Sequence, residues 1–252
     1  MRTDHPSSVH IPQLRSLWQE AFGDTDLFLD IFFRTAFSYD RCLCILDGNT
    51  VAAVLHWFDC RVEQQKLAYV YAVVTRPSYR GQGLCRRLIA DTHELLKSRG
   101  YDSAALVPQK ESLRKMYAGM GYENSGGLDE FHCSAASCGI PVRAIGPTEF
   151  AALRAEMLPP QAVVQEGENL TFLAEQMEFF TGEGFLLAAY GEKDTLFCAE
   201  FLGDPANAPK ILNTLVFQQG RFRMPGDQIP FAMYCPLSSD SLKPSYFGFA
   251  FD

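Results

Sequence analysis

Residues 69–88 read YVYAVVTRPSYRGQGLCRRL and predict a strand, a glycine-bearing turn and a helix in direct succession. β-branched and aromatic residues fill the strand as far as Thr75, and apolar residues recur at helical spacing after Gly83. The first backbone N–H groups of a helix have no partner within that helix. This segment therefore predicts an anion site at the start of the helix.

The surroundings of this turn are positively charged, although the chain carries a net charge of -8. Four arginines flank it, namely Arg76, Arg80, Arg86 and Arg87. Arg86 stands where a dinucleotide-binding fingerprint needs its third glycine, and the turn lacks the Gly-Lys-Ser/Thr of a P-loop. An ordinary strand-to-helix turn with solvated arginines is the remaining alternative, and the turn by itself favours that alternative.

The neighbouring segments predict a mixed α/β fold. In order, the sequence predicts helices at residues 13–22 and 24–37, strands at 42–46, 51–58 and 67–75, a helix at 83–98, a strand at 103–107, a helix at 112–120 and a strand at 128–133. This order indicates a sheet that is antiparallel at its start and parallel where the helices cross over.

A second motif follows at residues 116–122, which read MYAGMGY. From about residue 14 to residue 122 the chain resembles the GNAT superfamily of acyl-CoA dependent N-acyltransferases. The run RGQGL at residues 80–84, preceded by Pro77, resembles the pyrophosphate-binding motif of that family. MYAGMGY resembles its second signature, a tyrosine followed four residues later by glycine and an aromatic residue. Two motifs in this order are more specific than either alone.

The resemblance implies a mixed GNAT-type sheet flanked by helices, with acetyl-CoA as the cosubstrate. The backbone of three strand residues would pair with the pantetheine arm, and the amides of the turn would hold the pyrophosphate. The implied cofactor-binding residues are Val73, Val74, Thr75, Arg80, Gly81, Gln82, Gly83, Leu84, Cys85 and Arg86.

Tyr117 receives a catalytic role by the same resemblance, that of proton donor to the departing CoA thiolate. A tyrosine has an ordinary pKa of about 10 and is protonated at neutral pH. The implied reaction moves an acetyl group from acetyl-CoA to an unidentified primary amine by direct attack. The acceptor would be a small-molecule amine, or a lysine or N-terminal amine. The alternative is a catalytically weak CoA-binding sensor or interaction module, because no general base stands out and Glu63 is only one option.

Two positions depart from the pattern of the family. Cys85 occupies a place where the family usually has glycine or alanine, and Lys110 stands where many members carry asparagine. Cys85 also raises the alternative of an acyl-cysteine intermediate, because a helix N-terminus and nearby arginines would lower the pKa of its thiol.

The second half predicts another, smaller α/β domain. A small and polar linker at residues 134–141 separates a GNAT domain at residues 1–135 from a C-terminal domain at 139–252. That domain is predicted to contain helices at 148–157 and 169–180, strands at 184–190 and 195–202, a helix at 209–215 and strands at 229–234 and 246–251. It loosely resembles the degenerate second acyltransferase-like domain of the enhanced-intracellular-survival family of aminoglycoside acetyltransferases. Because it has no Arg-Gly-x-Gly turn, only the first half is predicted to bind CoA.

Composition narrows the classes of partner. The acidic balance of 22 Lys+Arg against 30 Asp+Glu argues against nucleic acid. No apolar run is long enough to cross a membrane, and the first residues lack the apolar core of a signal peptide, so we expect a cytoplasmic protein with no membrane partner. The eight cysteines lie mostly in apolar runs, and no metal site is predicted.

Overall fold

The computed structural model describes residues 1–250 and divides into two compact units. The first unit contains Met1–Glu123 and Met233–Leu242, and the second contains Asn124–Ala232 and the described residues from Lys243 onward. Each unit holds a mixed sheet flanked by helices, so the predicted fold class is confirmed.

Helices and strands alternate through the first part of the chain as predicted. In chain order they are β1 (Arg2–Asp4), α1 (Ile11–Phe22), α2 (Asp26–Thr35), β2 (Cys42–Asp47), β3 (Thr50–Val62), β4 (Gln65–Thr75), α3 (Leu84–Ser98), β5 (Ser103–Leu106), α4 (Glu111–Ala118) and β6 (Glu123–Ser125).

The remaining helices and strands follow a similar order. They are β7 (Leu128–Ser134), β8 (Arg143–Ile145), α5 (Pro147–Met157), β9 (Val163–Gln165), α6 (Glu168–Ala174), β10 (Glu178–Gly182), β11 (Phe185–Glu192), β12 (Thr195–Gly203), α7 (Ala208–Thr214), β13 (Gln219–Pro225) and β14 (Ala232–Pro236).

The sheet of the first unit has the strand order β1-β2-β3-β4-β5-β14. Its neighbouring strands are antiparallel, except that β4 and β5 are parallel and are connected through α3. A crossover helix between parallel strands is the expected connection, because parallel neighbours cannot be joined by a tight turn. The helix α3 therefore begins at the end of β4, which places the glycine-bearing turn at the carboxyl edge of the sheet.

The sheet of the second unit repeats this arrangement strand by strand. Its order is β8-β10-β11-β12-β13-β7, and only the pair β12 and β13 is parallel. Two helices precede β10, as α1 and α2 precede β2, and α7 takes the place of α3. The second unit therefore repeats the topology of the first, as the resemblance to a second acyltransferase-like domain implies.

The outer strands of the two sheets differ from the expected assignment. The strand at residues 128–133 was expected to complete the first sheet, but β7 pairs with β13 in the second sheet. The neighbour of β5 is instead β14, which lies about one hundred residues later in the sequence. As a result the compact units do not follow the limits 1–135 and 139–252, since the first ends at Glu123 and regains Met233–Leu242.

Two predictions in the second half were wrong in detail. The helix expected at residues 169–180 ends at Ala174, and the strand β10 follows. Phe179 of that strand stacks on Phe150 with ring centroids 4.1 Å apart, so tertiary packing overrides the local helical pattern. The strand expected at 246–251 is reduced to one isolated bridge between Tyr246 and Ala162, and its last residue lies outside the described residues. The strands β1, β6, β8, β9 and β13 were not predicted.

The first sheet is covered on both faces. The helices α3 and α4 pack Leu88, Leu96 and Tyr117 against alternate residues of the central strands. On the other face, the fully buried Trp18 and Phe32 of α1 and α2 form an edge-to-face pair with centroids 5.4 Å apart. Burial of both faces explains why the central strands are nearly continuous apolar runs.

Candidate active site

A β-bulge interrupts β4 close to its carboxyl end. Val54 of β3 pairs with Val74, whereas His56 pairs with Tyr71, so β4 has one extra residue between these positions. Ala72 lies in the bulge with φ +52°, and its carbonyl accepts a hydrogen bond of 3.1 Å from Trp18 Nε1. A bulge bends a strand and redirects its backbone, which is why bulges recur beside functional sites.

The parallel strands β4 and β5 part before the bulge. Their pairing runs from Leu67 with Ser103 to Tyr69 with Ala105 and then stops. Beyond it, residues 70–75 of β4 continue toward the turn while paired on their other side with β3. The structure thus places Val73, Val74 and Thr75 at an opening between the carboxyl ends of two parallel strands, where ligands of open α/β sheets bind.

The turn after β4 depends on its two glycines. Gly81 has φ +76° and Gly83 has φ +75°, a region that other residues enter at a cost. A Cβ atom at either position would meet nothing within 4 Å, so the backbone conformation, not space, calls for glycine. The turn as a whole, residues 80–83, is exposed to solvent.

The start of α3 has no internal cap. Gly83 is the N-cap residue, no side chain caps the helix, and its first turn contains no acidic residue. The amides of Leu84, Cys85 and Arg86 lie in the first turn, where a helix provides no acceptor for them. Donors and the positive end of the helix dipole therefore converge at this turn, as an anion site requires.

The four arginines have different roles. The turn at residues 80–83 and the first-turn amides of α3 together form a cradle for an anion. Arg76 is directed away from this cradle, since its Nε donates to the Val51 carbonyl at 2.8 Å and its Nη2 to Gln13 Oε1 at 3.1 Å. Arg87 pairs with Asp91 one turn along the helix, at 3.5 Å. Arg80 and Arg86 remain at the turn, and within residues 1–250 their side chains donate to backbone carbonyls, those of Thr75 and Gly119.

Arg86 also joins the two sequence motifs. Its Nη1 donates to the carbonyl of Gly119 at 2.7 Å, so the first turn of α3 is tied to the carboxyl end of α4. Tyr117 lies in the last turn of α4. The residues that sequence analysis connected only by resemblance are thus brought together in space.

Tyr117 is 6% exposed and packs edge-to-face against Tyr122, with ring centroids 5.8 Å apart. Burial raises the pKa of Tyr117 above its ordinary value, and the Cys85 thiol adds to this electrostatically. Among the described residues its hydroxyl has no hydrogen-bond partner. The phenol therefore stays protonated at neutral pH and can donate to a bound molecule.

The ring of Tyr122 is positioned by a hydrogen bond to the buried side chain of His93. Its hydroxyl lies 2.8 Å from Nε2 of His93 on α3. Burial lowers the pKa of His93 to about 4, with a smaller contribution from Lys97. The imidazole is therefore neutral and can accept this hydrogen bond, which fixes the ring on which Tyr117 packs. Sequence analysis did not identify His93, because nothing in its spacing indicates the contact.

Cys85 does not have the lowered pKa that its position at a helix start suggested. Burial raises the pKa of its thiol, and this effect outweighs the opposing charge of Arg86. A thiol with a raised pKa is a weak nucleophile at neutral pH. The structure therefore disfavours the acyl-cysteine alternative.

Glu63, the residue considered as a general base, lies far from this opening. This residue lies in the turn between β3 and β4, at the end of β4 opposite to Thr75. At about 3.3 Å per residue the strand separates the two ends by roughly 30 Å. Other titratable groups of this unit also have perturbed pKa values, among them Asp24 and His56. Burial raises the pKa of Asp24, in the loop between α1 and α2, to about 6, and burial holds the pKa of His56 well below its usual value.

The described residues were also searched for metal ligands, disulfides and membrane-spanning helices. No group of three or more His, Cys, Asp or Glu side chains there is arranged to hold a metal ion. All eight cysteines are free thiols. The described helices include none that is long and apolar enough to span a membrane.

The corresponding turn of the second unit is built differently. Between β12 and α7 the carboxylate of Asp204 accepts a hydrogen bond of 2.9 Å from the amide of Ala206. The turn thus supplies its own anion, and a phosphate approaching it would meet a negative charge.

Comparison with known proteins agrees with this geometry. Residues 4–125 match the family model for the acetyltransferase (GNAT) domain. The match, the fold and the site therefore identify a GNAT acetyltransferase domain over residues 4–125. The search of curated proteins found no significant match to this sequence.

Solved structures with a similar fold extend over both units. A GCN5-related N-acetyltransferase from Kribbella flavida has a TM-score of 0.72 and 18% identity, over 92% of this chain and 70% of its own. A GCN5-related N-acetyltransferase from Anabaena variabilis ATCC 29413 has a TM-score of 0.71 and 15% identity, over 94% and 73%. Eis1 from Mycobacterium abscessus has a TM-score of 0.67 and 10% identity, over 94% and 74%. At these identities the likeness concerns the fold.

Proposed function

We propose that this protein is an N-acetyltransferase that moves an acetyl group from acetyl-CoA to a primary amine by direct attack. The observation that carries the proposal is the exposed start of α3, where the first-turn amides have neither a cap nor an acidic neighbour. This anion site lies at the end of the strand that parts from β5, and Arg86 ties it to the helix of Tyr117.

The proposed binding mode follows the direction of the chain. The diphosphate of acetyl-CoA lies on the amides of residues 81–86, with Arg80 and Arg86 adding positive charge. The pantetheine arm then runs along the edge of β4 that β5 leaves free, and its amides pair with the backbone of Val73, Val74 and Thr75. The thioester reaches the bulge at Ala72.

The proposed chemistry uses few protein groups. A neutral amine attacks the thioester carbonyl carbon, a C–N bond forms, and the C–S bond breaks with its electron pair on sulfur. Tyr117 donates its proton to this sulfur and later regains one from solvent. An alkylammonium has a pKa of about 10.4, so it must lose one proton to become the neutral nucleophile, and the nitrogen loses a second proton as the amide forms. Solvent accepts both protons, and one proton is released overall after Tyr117 is reprotonated.

The acceptor is a small-molecule amine, or a lysine or N-terminal amine. The second half of the chain is more acidic than the first, and an acidic surface attracts cationic amines such as polyamines, aminoglycosides or lysine side chains. The second unit itself contributes no cofactor site, because Asp204 occupies the turn that would have to hold the diphosphate.

A CoA-binding sensor without turnover is the second candidate. It is favoured by one observation, namely that the carboxyl half of β4 presents tyrosines and no carboxylate, while Glu63 lies at the far end. Isothermal titration with acetyl-CoA, followed by a thiol-release assay over a panel of amines, separates the two candidates. Binding with thiol release supports the enzyme. Binding without release for any amine supports the sensor, and absence of binding contradicts both.

Glu63→Gln is expected to leave kcat/KM within about twofold of the original protein. The side chain is remote from the bulge, so it can take no proton from the attacking amine. The thiol-release assay measures kcat/KM of the variant and of the original protein across pH 6–9. A loss of the acid limb of the pH profile in this variant would contradict the placement of the site.

A further inference from the structure

The second unit contains a cavity of about 160 Å³ beside the bulge of β12. The bulge is a register shift, since Ala188 pairs with Glu200 and Ala189 with Cys198, which leaves Ala199 as the extra residue. Pairing of β12 with β13 ends at Cys198 with Phe222, as pairing of β4 with β5 ends before its bulge. The cavity therefore lies at the position that corresponds, in the repeated topology, to the opening in the first sheet.

Two arginines of β13 line this cavity. Arg221 and Arg223 alternate with Phe222, which packs toward α7, so both arginines lie on the opposite face of the sheet. Both contact one carboxylate oxygen of Glu130, Arg221 at 2.6 Å and Arg223 at 3.2 Å. Two guanidinium groups thus share a single carboxylate, and one positive charge is left over.

Arg221 has an unused donor. Its Nε is buried and has no hydrogen-bond partner among the described residues, although its Nη2 contacts Glu130. A buried donor without a partner is costly and indicates a missing acceptor. Arg221 and Arg223 together carry more positive charge and more N–H donors than Glu130 satisfies, so a carboxylate is a suitable further acceptor for the pair.

The other walls of the cavity are mostly apolar. Phe197 stacks on Tyr190 with centroids 5.3 Å apart, and Met177 and Phe249 complete the lining. The volume is close to that of an engineered cavity of 150 Å³ that takes up benzene. A single six-membered ring therefore fits the space, and aromatic and thioether side chains are suitable contacts for it.

The wall formed by residues 248–250 is held in place. Arg154 and Glu200, each 1% exposed, form a bidentate ion pair of 2.7 and 2.9 Å beneath it. The Arg154 guanidinium lies 4.9 Å from the ring centroid of Phe249. Gly248 has φ +85°, and a Cβ there would collide with Arg154 and lie 2.8 Å from Glu200. Glycine thus lets the wall rest directly on the ion pair.

We propose that this cavity is a binding site for a small aromatic carboxylate, whose acid group pairs with Arg221 and Arg223 and whose ring lies against Phe197 and Phe249. The site is independent of the acetyl-CoA cradle, since all of these residues belong to the second unit. An aromatic compound with a cationic substituent would face the arginines and is excluded by charge. Inorganic phosphate meets the charge but leaves the apolar walls unfilled.

Calorimetric titration of the full chain with benzoate tests this site, with benzamide as the uncharged analogue and inorganic phosphate as the ringless anion. Benzoate is expected to bind, and benzamide and phosphate to bind at least about tenfold more weakly. Arg221→Gln should weaken benzoate binding about tenfold or more. Glu130→Gln should strengthen it, because both arginines lose their competing carboxylate.

Three variants keep the test decisive. Ala199→Leu fills the cavity without changing its charge and should abolish benzoate binding even where Arg221→Gln is poorly folded. Arg143→Gln removes an exposed arginine of the same unit, which pairs with Glu149, and should change nothing. Gly83→Asp, in the acetyl-CoA cradle, should leave benzoate binding intact. Equal affinity for benzoate and benzamide, or an unchanged affinity in Arg221→Gln and Ala199→Leu, overturns the proposal.

Discussion

Gly83→Asp is expected to weaken acetyl-CoA binding by about 30- to 100-fold, which corresponds to roughly 2–3 kcal/mol. Gly83 has φ +75°, so any side chain strains the turn. The larger part of the loss is electrostatic, because the new carboxylate would occupy the helix start where the diphosphate binds. Isothermal titration measures the affinity, and thermal unfolding verifies that the variant folds.

Two companion variants separate strain from charge. Gly83→Ala introduces the strain alone, and a Cβ at this position meets nothing within 4 Å, so only a few-fold loss is expected. Gly100→Asp places the same carboxylate at φ +74°, also without neighbours within 4 Å, but at the far end of α3. It should retain full affinity. Equal affinity in Gly83→Asp and the original protein would rule out the cradle.

Tyr117→Phe is expected to lower kcat by about 100-fold or more while the dissociation constant of acetyl-CoA changes little. General acid catalysis typically contributes factors of 10² to 10⁴. The ring of Tyr117 packs against Tyr122, and phenylalanine keeps this packing, so the cofactor site is preserved. Single-turnover thiol release and calorimetric titration measure the two quantities separately.

The pH dependence of turnover provides a second test of the role of Tyr117. Burial raises the pKa of Tyr117, so its proton is present throughout the neutral range and is lost only above the ordinary tyrosine value of about 10. Turnover should therefore not fall between pH 7 and 9 through ionisation of this residue. Tyr101→Phe removes a hydroxyl that bonds to Asp59, elsewhere in the unit, and serves as the control with unchanged kcat. Loss of affinity with an unaltered rate in Tyr117→Phe would refute the acid role.

The fold of the first unit was largely readable from sequence because its signals are local. The β-branched and aromatic content of β4, the two glycines after it and the apolar stripe of α3 are each visible within a short stretch of sequence. The bulge at Ala72 was not readable, because an alanine with φ +52° has no sequence signature. Its position is set by the register with β3 and by the hydrogen bond from Trp18.

The pairing of distant strands could not be predicted. Strands were predicted both at residues 128–133 and at residues 229–234, and composition alone does not tell which of them completes the first sheet. The choice is made by tertiary contacts over about one hundred residues, which no local pattern encodes. For the same reason the strand β10 was mistaken for helix, since the stacking of Phe179 on Phe150 lies outside any sequence window.

The site residues show the same division. The resemblance linked Tyr117 with the turn at residues 80–83, and the Arg86 contact with Gly119 joins the helix of Tyr117 to the start of α3. The pKa of Cys85 was expected to fall and instead rises, because burial cannot be seen in the sequence. Arg76 was counted with the cradle, but its guanidinium is used to hold Gln13 and Val51.

A crystal structure of the full chain soaked with acetyl-CoA would show whether the amides at the start of α3 bind the diphosphate. We expect diphosphate oxygens within about 3 Å of these backbone nitrogens, with the pantetheine arm along residues 73–75 of β4. A diphosphate bound at any other place in the chain, with these amides left to solvent, would contradict this expectation.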